Sequence, residues 1–210
     1  MQRILYALFI LVFFPSQFLC FAQNTNGIKI KGTCIALQDF TTEQQEILLY
    51  AYYYGKEYNF GYLMAAIAWK ESCAGEYLIN FSDPSAGVYH AHIPSVIKKY
   101  TSYKDSPFIR NVVGQMLVTD IQLASSIALD NLRYWAKVHN NNMKNVVKSY
   151  NKGFAWKSSS QTNRQAQNYY LDIERKIKQL ETYIPTLLEY YKLNTPNGRL
   201  KHPKFISKNK

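Results

Sequence analysis

The fold is decided by residues 61–72, whose sequence is GYLMAAIAWKES. Nearly every position before Lys70 is apolar, which predicts a helix that other elements surround on most sides. Glu71 lies seven residues after Met64 and four after Ile67, so on helical spacing it continues the stripe that should face the core. A carboxylate in that position needs a functional or a structural reason.

Two interpretations of Glu71 follow from its position alone. Burial beside apolar groups disfavours the charged carboxylate, which is the property that a general acid working near neutral pH requires. The alternative is a glutamate at a helix end that reaches solvent, because many perturbed carboxylates are structural.

Helical periodicity extends over most of the chain. It predicts further helices at residues 41–57, 94–99, 106–117, 120–138, 143–150 and 161–192. Pro185 removes a backbone donor inside the last of these, so that helix should kink or restart there. Only residues 27–35 have the alternation of a strand, and residues 73–93 should form a long loop. The predicted fold class is all-α with a minor β element.

The two ends of the chain differ in composition from its middle. Residues 1–22 combine a basic start with an apolar run, which predicts an export signal peptide. That run is too short to span a bilayer, so no transmembrane segment is expected after signal removal; an uncleaved anchor is the alternative. Residues 23–40 are interpreted as an N-terminal arm, residues 41–192 as one helical domain and residues 193–210 as a basic, disordered tail.

Charge and cysteine content narrow the partners and the compartment. The formal net charge is +11, which favours anionic partners. Export to the periplasm or cell envelope makes cell-wall polymers a better match than nucleic acid. Cys34 and Cys73 remain after signal removal, so one disulfide is predicted in that oxidising compartment, with two unpaired thiols as the alternative.

Several chemistries lack a matching pattern. The chain has no CxxC pair, HExxH motif, phosphate-binding glycine loop or GxSxG elbow. His90 and His92 are two residues apart, a spacing that places them about 200° apart around a helix, so a shared metal ion is not expected. We predict no metal and no cofactor.

Three segments in a fixed order carry the functional prediction. A helix ends in Glu71 and Ser72, a loop follows at residues 82–90, and a later helix ends in SYNKG at residues 149–153. Together they resemble the lytic transglycosylases of the soluble, goose-lysozyme-like family, which have a Glu-Ser helix end, a loop serine with Gly-Leu-Met-Gln, and Ala-Tyr-Asn-x-Gly. The resemblance covers residues 41–153, and it implies a lysozyme-like helical domain whose central helix ends in the catalytic glutamate.

The resemblance implies a role for each matching residue. Glu71 matches the family's catalytic acid, Tyr150 the tyrosine that orients this acid, and Asn151 the neighbouring motif residue. These three residues are therefore expected to meet in one cleft.

The loop departs from the family pattern. Ser82 is the best match to the family's serine, and Ser85 is the alternative. Tyr89 and His90 stand where the family has methionine and glutamine, and we expect both to contact substrate. One extra residue lies between Gly87 and the family's proline, here Pro94, so the family's substrate contacts in this loop do not transfer directly to this chain.

The family's reaction is cleavage of the β-1,4 bond between N-acetylmuramic acid and N-acetylglucosamine in peptidoglycan. One carboxyl protonates the leaving oxygen and then acts as base while the sugar's own 6-hydroxyl attacks, which leaves a 1,6-anhydro end. Asp83 is expected to cap the turn at Pro84 and Ser85 rather than to supply a second catalytic carboxylate. A monomer acting on glycan strands, in wall remodelling or for a secretion or conjugation apparatus, would fit this activity.

Three alternatives belong to other classes of protein. A lysozyme-type hydrolase would share the acid but release a reducing end. A catalytically inactive peptidoglycan-binding or assembly module would keep the fold after losing turnover through Tyr89 and His90. A helical adaptor would use the heptad-like stripe between Tyr170 and Tyr191 to meet a partner helix.

Overall fold

The computed structural model describes residues 32–194, so the predictions for residues 1–31 and 195–210 lie outside the described residues. The α-helices are α1 Thr42–Lys56, α2 Gly61–Ser72, α3 Ile93–Tyr100, α4 Pro107–Thr119, α5 Ile121–Val138, α6 Met143–Lys152 and α7 Ser160–Asn194. The strands are β1 Ile79–Asn80, β2 Ser85–Ala86 and β3 Ala91–His92, and short 3₁₀ helices occupy Leu37–Asp39 and Ala155–Lys157. The all-α class with a minor β element is confirmed.

The helix starts follow from side chains that cap the first turn. Thr41 Oγ1 accepts from the backbone N–H of Gln44 at 3.3 Å while Gln44 Oε1 accepts from the N–H of Thr41 at 3.0 Å, which is a capping box. Ser106 Oγ accepts from the N–H of Ile109 at 3.3 Å, and Asp120 caps α5 in the same way. These caps satisfy backbone donors that have no partner inside the helix.

Helix α2 is the centre of the domain and packs against both α1 and α7. Met64 and Ile67 have no exposed area, and the three alanines of α2 are equally buried. Small side chains let the neighbouring helices approach α2 closely, so this helix needs no polar face. It ends where Cys73 takes a left-handed conformation with φ of 53°, directly after Glu71 and Ser72.

The small sheet lies in the region that was predicted to be a loop. Its strands pair antiparallel in the order β1-β2-β3, with Ile79 opposite Ala86 and Ser85 opposite His92. The predicted strand was elsewhere, and the part of it that the structure describes, residues 32–35, is not a strand. Each observed strand has two residues, too few for an alternating pattern to appear in the sequence.

Helix α7 continues through Pro185 as one helix, so of the two predicted outcomes, a kink or a restart, the restart does not occur. The proline leaves the carbonyl of Glu181 without an intrahelical donor. Both residues are exposed, and water can therefore satisfy that carbonyl. Ile184 and Leu187 are buried beside the proline, and their burial holds α7 on the domain.

The predicted disulfide is confirmed. Cys34 and Cys73 are bonded, with their Cα atoms 5.4 Å apart. The side-chain amide of Gln44 donates to the carbonyl of Cys73 at 2.8 Å. The disulfide fastens the N-terminal arm to Cys73, which lies two residues beyond Glu71.

No individual helix within residues 32–194 combines the length and the apolar composition of a membrane span. The pair α4 and α5 meets that test when taken together, but the two helices are bent by 100°.

Candidate active site

Glu71 lies in the last turn of α2 and has a protein partner at each carboxylate oxygen. Tyr169, in α7, donates its hydroxyl to Oε1 at 2.6 Å. Nδ1 of His90 lies 3.6 Å from Oε2. The side chain retains 20% of its exposure, so the carboxylate is held from two sides and is still open to a cleft.

The tyrosine that holds Glu71 is Tyr169, and the prediction that Tyr150 would do so is wrong. The hydroxyl of Tyr150 donates to the backbone carbonyl of Tyr89 at 3.4 Å. Burial and then the charge of Glu71 raise the pKa of Tyr150 well above its usual range, so Tyr150 is near the acid although it is bonded elsewhere. The position of Tyr150 in the motif therefore indicated that it lies near Glu71, but not that its hydroxyl bonds to a different group.

Tyr169 is suited to be a permanent donor. Its side chain is buried in the core. Burial, followed by the negative charge of Glu71, raises the pKa of Tyr169 well above its usual range, because a phenolate beside a carboxylate is unfavourable. The neutral phenol therefore keeps its proton and directs it at Oε1.

His90 is the second partner of Glu71. The sequence predicted a contact between His90 and substrate, and it did not predict this contact with Glu71. Its Nε2 lies 2.7 Å from the carbonyl of Tyr77, and its backbone is left-handed, with φ of 45°. Burial alone would lower the pKa of His90, but the neighbouring carboxylate of Glu71 and the hydrogen bond to the Tyr77 carbonyl raise it above its ordinary value. His90 also lines the cleft.

Ser72 fixes the His90 loop against the end of α2, and sequence reasoning gave this residue no role. Its Oγ lies 2.8 Å from the carbonyl of Val88 and accepts from the N–H of Gly75 at 2.9 Å. Gly87 brings the same loop against α4 with φ of +81°, where a Cβ atom would lie 2.6 Å from the carbonyl oxygen of Leu117. Ser72 and Gly87 therefore hold the loop that places His90 beside Glu71.

Tyr89 belongs to the core, so its predicted contact with substrate is not met by its side chain. Only 1% of the residue is exposed, and its hydroxyl accepts from Oγ of Ser125 at 3.0 Å. Tyr89 is one of the residues that line the cleft although it is almost fully buried, and its backbone carbonyl accepts from the hydroxyl of Tyr150.

Glu71 lies at the junction of two cavities. The first has a volume of about 590 Å³, and its lining includes Glu71, Asp83, Ser85, His90, Tyr150 and Asn151. The second, of about 450 Å³, lies towards the disulfide and includes Lys70, Phe81, Ser82 and Lys176 with Glu71. The two candidate serines are thus divided between the two cavities, and Ser85 is the one that shares a cavity with Tyr150 and Asn151.

Asp83 has the structural role that was predicted, and it also faces the cleft. Ser85 Oγ donates to its carboxylate, and the N–H of Ser85 donates to the carbonyl of Asp83 at 2.8 Å. This turn holds β2 in register next to Glu71.

Aromatic rings line the first cavity near the start of the Tyr150 segment, and an imidazole packs behind one of them. Trp135 and Tyr100 line the cavity, and the ring of His139 stacks on Trp135 with centroids 5.8 Å apart. Ser149 Oγ bonds to both His139 and Trp156 at 2.8 Å. This network, which no sequence motif indicated, positions the end of α6 at the cleft.

Within residues 32–194, no group of three or more His, Cys, Asp or Glu side chains is arranged to hold a metal ion. Comparison with protein-family models, curated proteins and solved structures finds no match to this chain. The chemistry of the cleft is therefore the basis for assigning a function. It offers one carboxyl with a fixed donor on one oxygen and an imidazole at the other, an arrangement suited to proton transfer.

Proposed function

We propose that this protein is a peptidoglycan lytic transglycosylase in which Glu71 acts first as acid and then as base. The observation that carries the proposal is the seating of Glu71, which ends a buried helix, opens to a cleft and is held by Tyr169 and His90. Tyr150 and Asn151 line the same cleft, as the resemblance in sequence requires. The proposed substrate is the β-1,4 bond between N-acetylmuramic acid and N-acetylglucosamine.

One carboxyl is sufficient for this reaction. Glu71 gives a proton to the glycosidic oxygen while positive charge builds at the muramic acid carbon. The carboxylate then takes the proton of the 6-hydroxyl of the same sugar as that oxygen attacks the carbon. The product is a 1,6-anhydro ring, no water is consumed and Glu71 regains its proton.

The rest of the cleft is compatible with a glycan. Tyr100 lines the cavity and offers an exposed, flat aromatic ring to sugar faces, while Lys99 and Lys152 place positive charge on its rim. Peptidoglycan carries carboxylates on its lactyl and peptide groups, which such a rim attracts. We propose action on glycan strands in the periplasm or cell envelope, in remodelling or in opening the wall for a secretion or conjugation apparatus.

A lysozyme-type hydrolase is the second candidate, and Asp83 is the observation that favours it. Its carboxylate lines the same cavity as Glu71, where a second carboxylate could activate water. Against this role, Asp83 already accepts from Ser85, and that bond holds it in the turn.

Mass spectrometry of digested muropeptides tests the proposal. Purified peptidoglycan treated with the protein should yield fragments with anhydromuramic ends, which are lighter by one water than reducing ends. Reducing ends would overturn the transglycosylase in favour of the hydrolase. No new ends at all, from a folded protein, would contradict both and leave a binding or assembly module.

Tyr169→Phe tests how Glu71 is held. We expect the rate of glycan cleavage to fall roughly ten- to hundredfold, because a hydrogen bond to a charged group is lost. The matched control is Tyr170→Phe, since the neighbouring hydroxyl bonds to Glu174 at 2.9 Å and not to Glu71. Equal rates for the two variants would show that the Tyr169 contact is not used.

A further inference from the structure

The hydrogen bonds of His90 decide which of its nitrogens can exchange a proton. Nε2 lies 2.7 Å from the carbonyl of Tyr77, and a carbonyl oxygen can only accept. Nε2 therefore carries a hydrogen in both charge states of the ring. Nδ1 is left as the titrating nitrogen, and it is the one that faces Glu71.

Nδ1 and the nearer oxygen of Glu71 are close enough to depend on one proton. They are 3.6 Å apart, with side-chain exposures of 10% for His90 and 20% for Glu71. This is an ion-pair distance, and an approach of under about 1 Å makes it a hydrogen bond. Tyr169 occupies the other oxygen at 2.6 Å, so Oε2 is the oxygen that His90 can serve.

We propose that Glu71 and His90 hold one proton between them and that His90 is a positioning residue which keeps this proton ready for the glycosidic oxygen. The pair is either a carboxylate beside an imidazolium or a carboxylic acid beside a neutral imidazole. Both forms contain one transferable proton, and they exchange by its movement between Oε2 and Nδ1. The catalytic part of this inference rests on the proposed function, whereas the shared proton does not.

The Glu71–His90 pair holds the same number of protons at the start and at the end of one catalytic cycle. The pair starts with one proton, which leaves through Glu71 to the leaving oxygen as the glycosidic bond breaks. The pair then consists of a carboxylate and a neutral imidazole. The 6-hydroxyl proton passes to Glu71 as the new C–O bond forms, and the pair returns to its starting state without exchange with solvent.

The titratable groups that α6 and α7 bring towards the pair are neutral or already partnered. The phenols of Tyr150 and Tyr169 have pKa values raised well above their usual range and stay protonated. On α7, Asp172 is paired with Lys70 at 2.6 Å and with Lys176 at 3.6 Å.

Asp83 is the remaining acidic neighbour of His90. Its charge adds to the rise in the pKa of His90, but its effect ranks behind the contacts with Glu71 and the Tyr77 carbonyl. Glu71 is therefore the group to which the titration of His90 should respond.

The shared proton predicts an activity limit at alkaline pH. The cleaving form has one proton on the pair, and this proton is lost as pH rises through the raised pKa of His90. In His90→Gln the amide can still donate to the Tyr77 carbonyl, but Glu71 must keep its proton alone. A carboxyl group ordinarily loses its proton at lower pH than an imidazolium does, so the alkaline limit should fall by about one pH unit or more.

The matched control is His92→Gln. His92 lines the same cavity, but its ring bonds to Ser95 at 2.8 Å. Its replacement should leave the alkaline limit where it is in the unchanged protein. Equal profiles for His90→Gln and the unchanged protein would overturn the proposed role in activity.

Nuclear magnetic resonance titration of the imidazole rings tests the pair without any assay of cleavage. The His90 signals are assigned by their loss in His90→Gln. The nitrogen shifts of the neutral ring should report hydrogen on Nε2, and its pKa should fall by about one unit or more in Glu71→Gln. Hydrogen on Nδ1, or a pKa that is the same in both proteins, would overturn the inference.

The two measurements separate this inference from the proposed function. If the pKa of His90 falls in Glu71→Gln but the unchanged protein releases no muropeptides, the pair stands and the transglycosylase is excluded. If the protein yields anhydro products but the pKa of His90 is the same in Glu71→Gln, the proposed function stands and the shared proton is excluded.

Discussion

Glu71→Gln is expected to abolish glycan cleavage, with a loss of about 10³-fold or more in rate. The amide has the shape of the acid and can still accept from Tyr169, but it has no proton to give to the leaving oxygen. The rate of release of soluble muropeptides measures the effect. Circular dichroism and thermal unfolding should match the unchanged protein, because the substitution preserves the packing at the end of α2.

The control for this variant is Glu57→Gln. Glu57 lies in the exposed turn after α1 and lines neither of the two cavities that meet at Glu71. Its replacement should leave the rate unchanged. A Glu71→Gln protein as active as this control would exclude Glu71 as the acid, and the proposed function would fall with it.

Removing the disulfide is expected to cost about 4 kcal/mol in the free energy of unfolding. The two cysteines are 39 residues apart in sequence, and closing a loop of that length restricts the unfolded chain considerably. Cys34→Ser with Cys73→Ser should therefore unfold at a lower concentration of urea. Equilibrium denaturation followed by far-ultraviolet circular dichroism measures the difference.

Reduction supplies the internal control for the disulfide. A reductant should lower the urea midpoint of the unchanged protein to a value near that of the double variant, and it should not affect the double variant. A midpoint that does not respond to the reductant in either protein would contradict a stabilising role. Loss of cleavage along with stability is also expected, because the bond lies two residues from Glu71.

Local signals account for what the sequence predicted well. The bounds of α2 and the starts of α1, α4 and α5 each depend on residues within one turn of the helix. The disulfide followed from the number of cysteines together with the predicted export to an oxidising compartment. Asp83 was assigned to its turn because an aspartate before a proline commonly caps a turn.

Long-range contacts account for what the sequence did not reveal. Tyr169 is 98 residues from Glu71, and nothing in its own segment distinguishes it from Tyr170. Tyr89 was expected to contact substrate, but its side chain is buried and its hydroxyl accepts from Ser125 of α5. In each case the side chain acquires its role only when a distant helix packs beside it.

The capping box at the start of α1 has a consequence for the identity of residue 44. Gln44 accepts from the N–H of Thr41 and donates to the carbonyl of Cys73 at 2.8 Å. Glutamate, the other residue that completes such a box, could serve Thr41 equally well, but an ionised carboxylate has no hydrogen to offer and would face the carbonyl oxygen of Cys73 with its charge. The preference for an amide over an acid at the beginning of one helix is therefore set by the end of another.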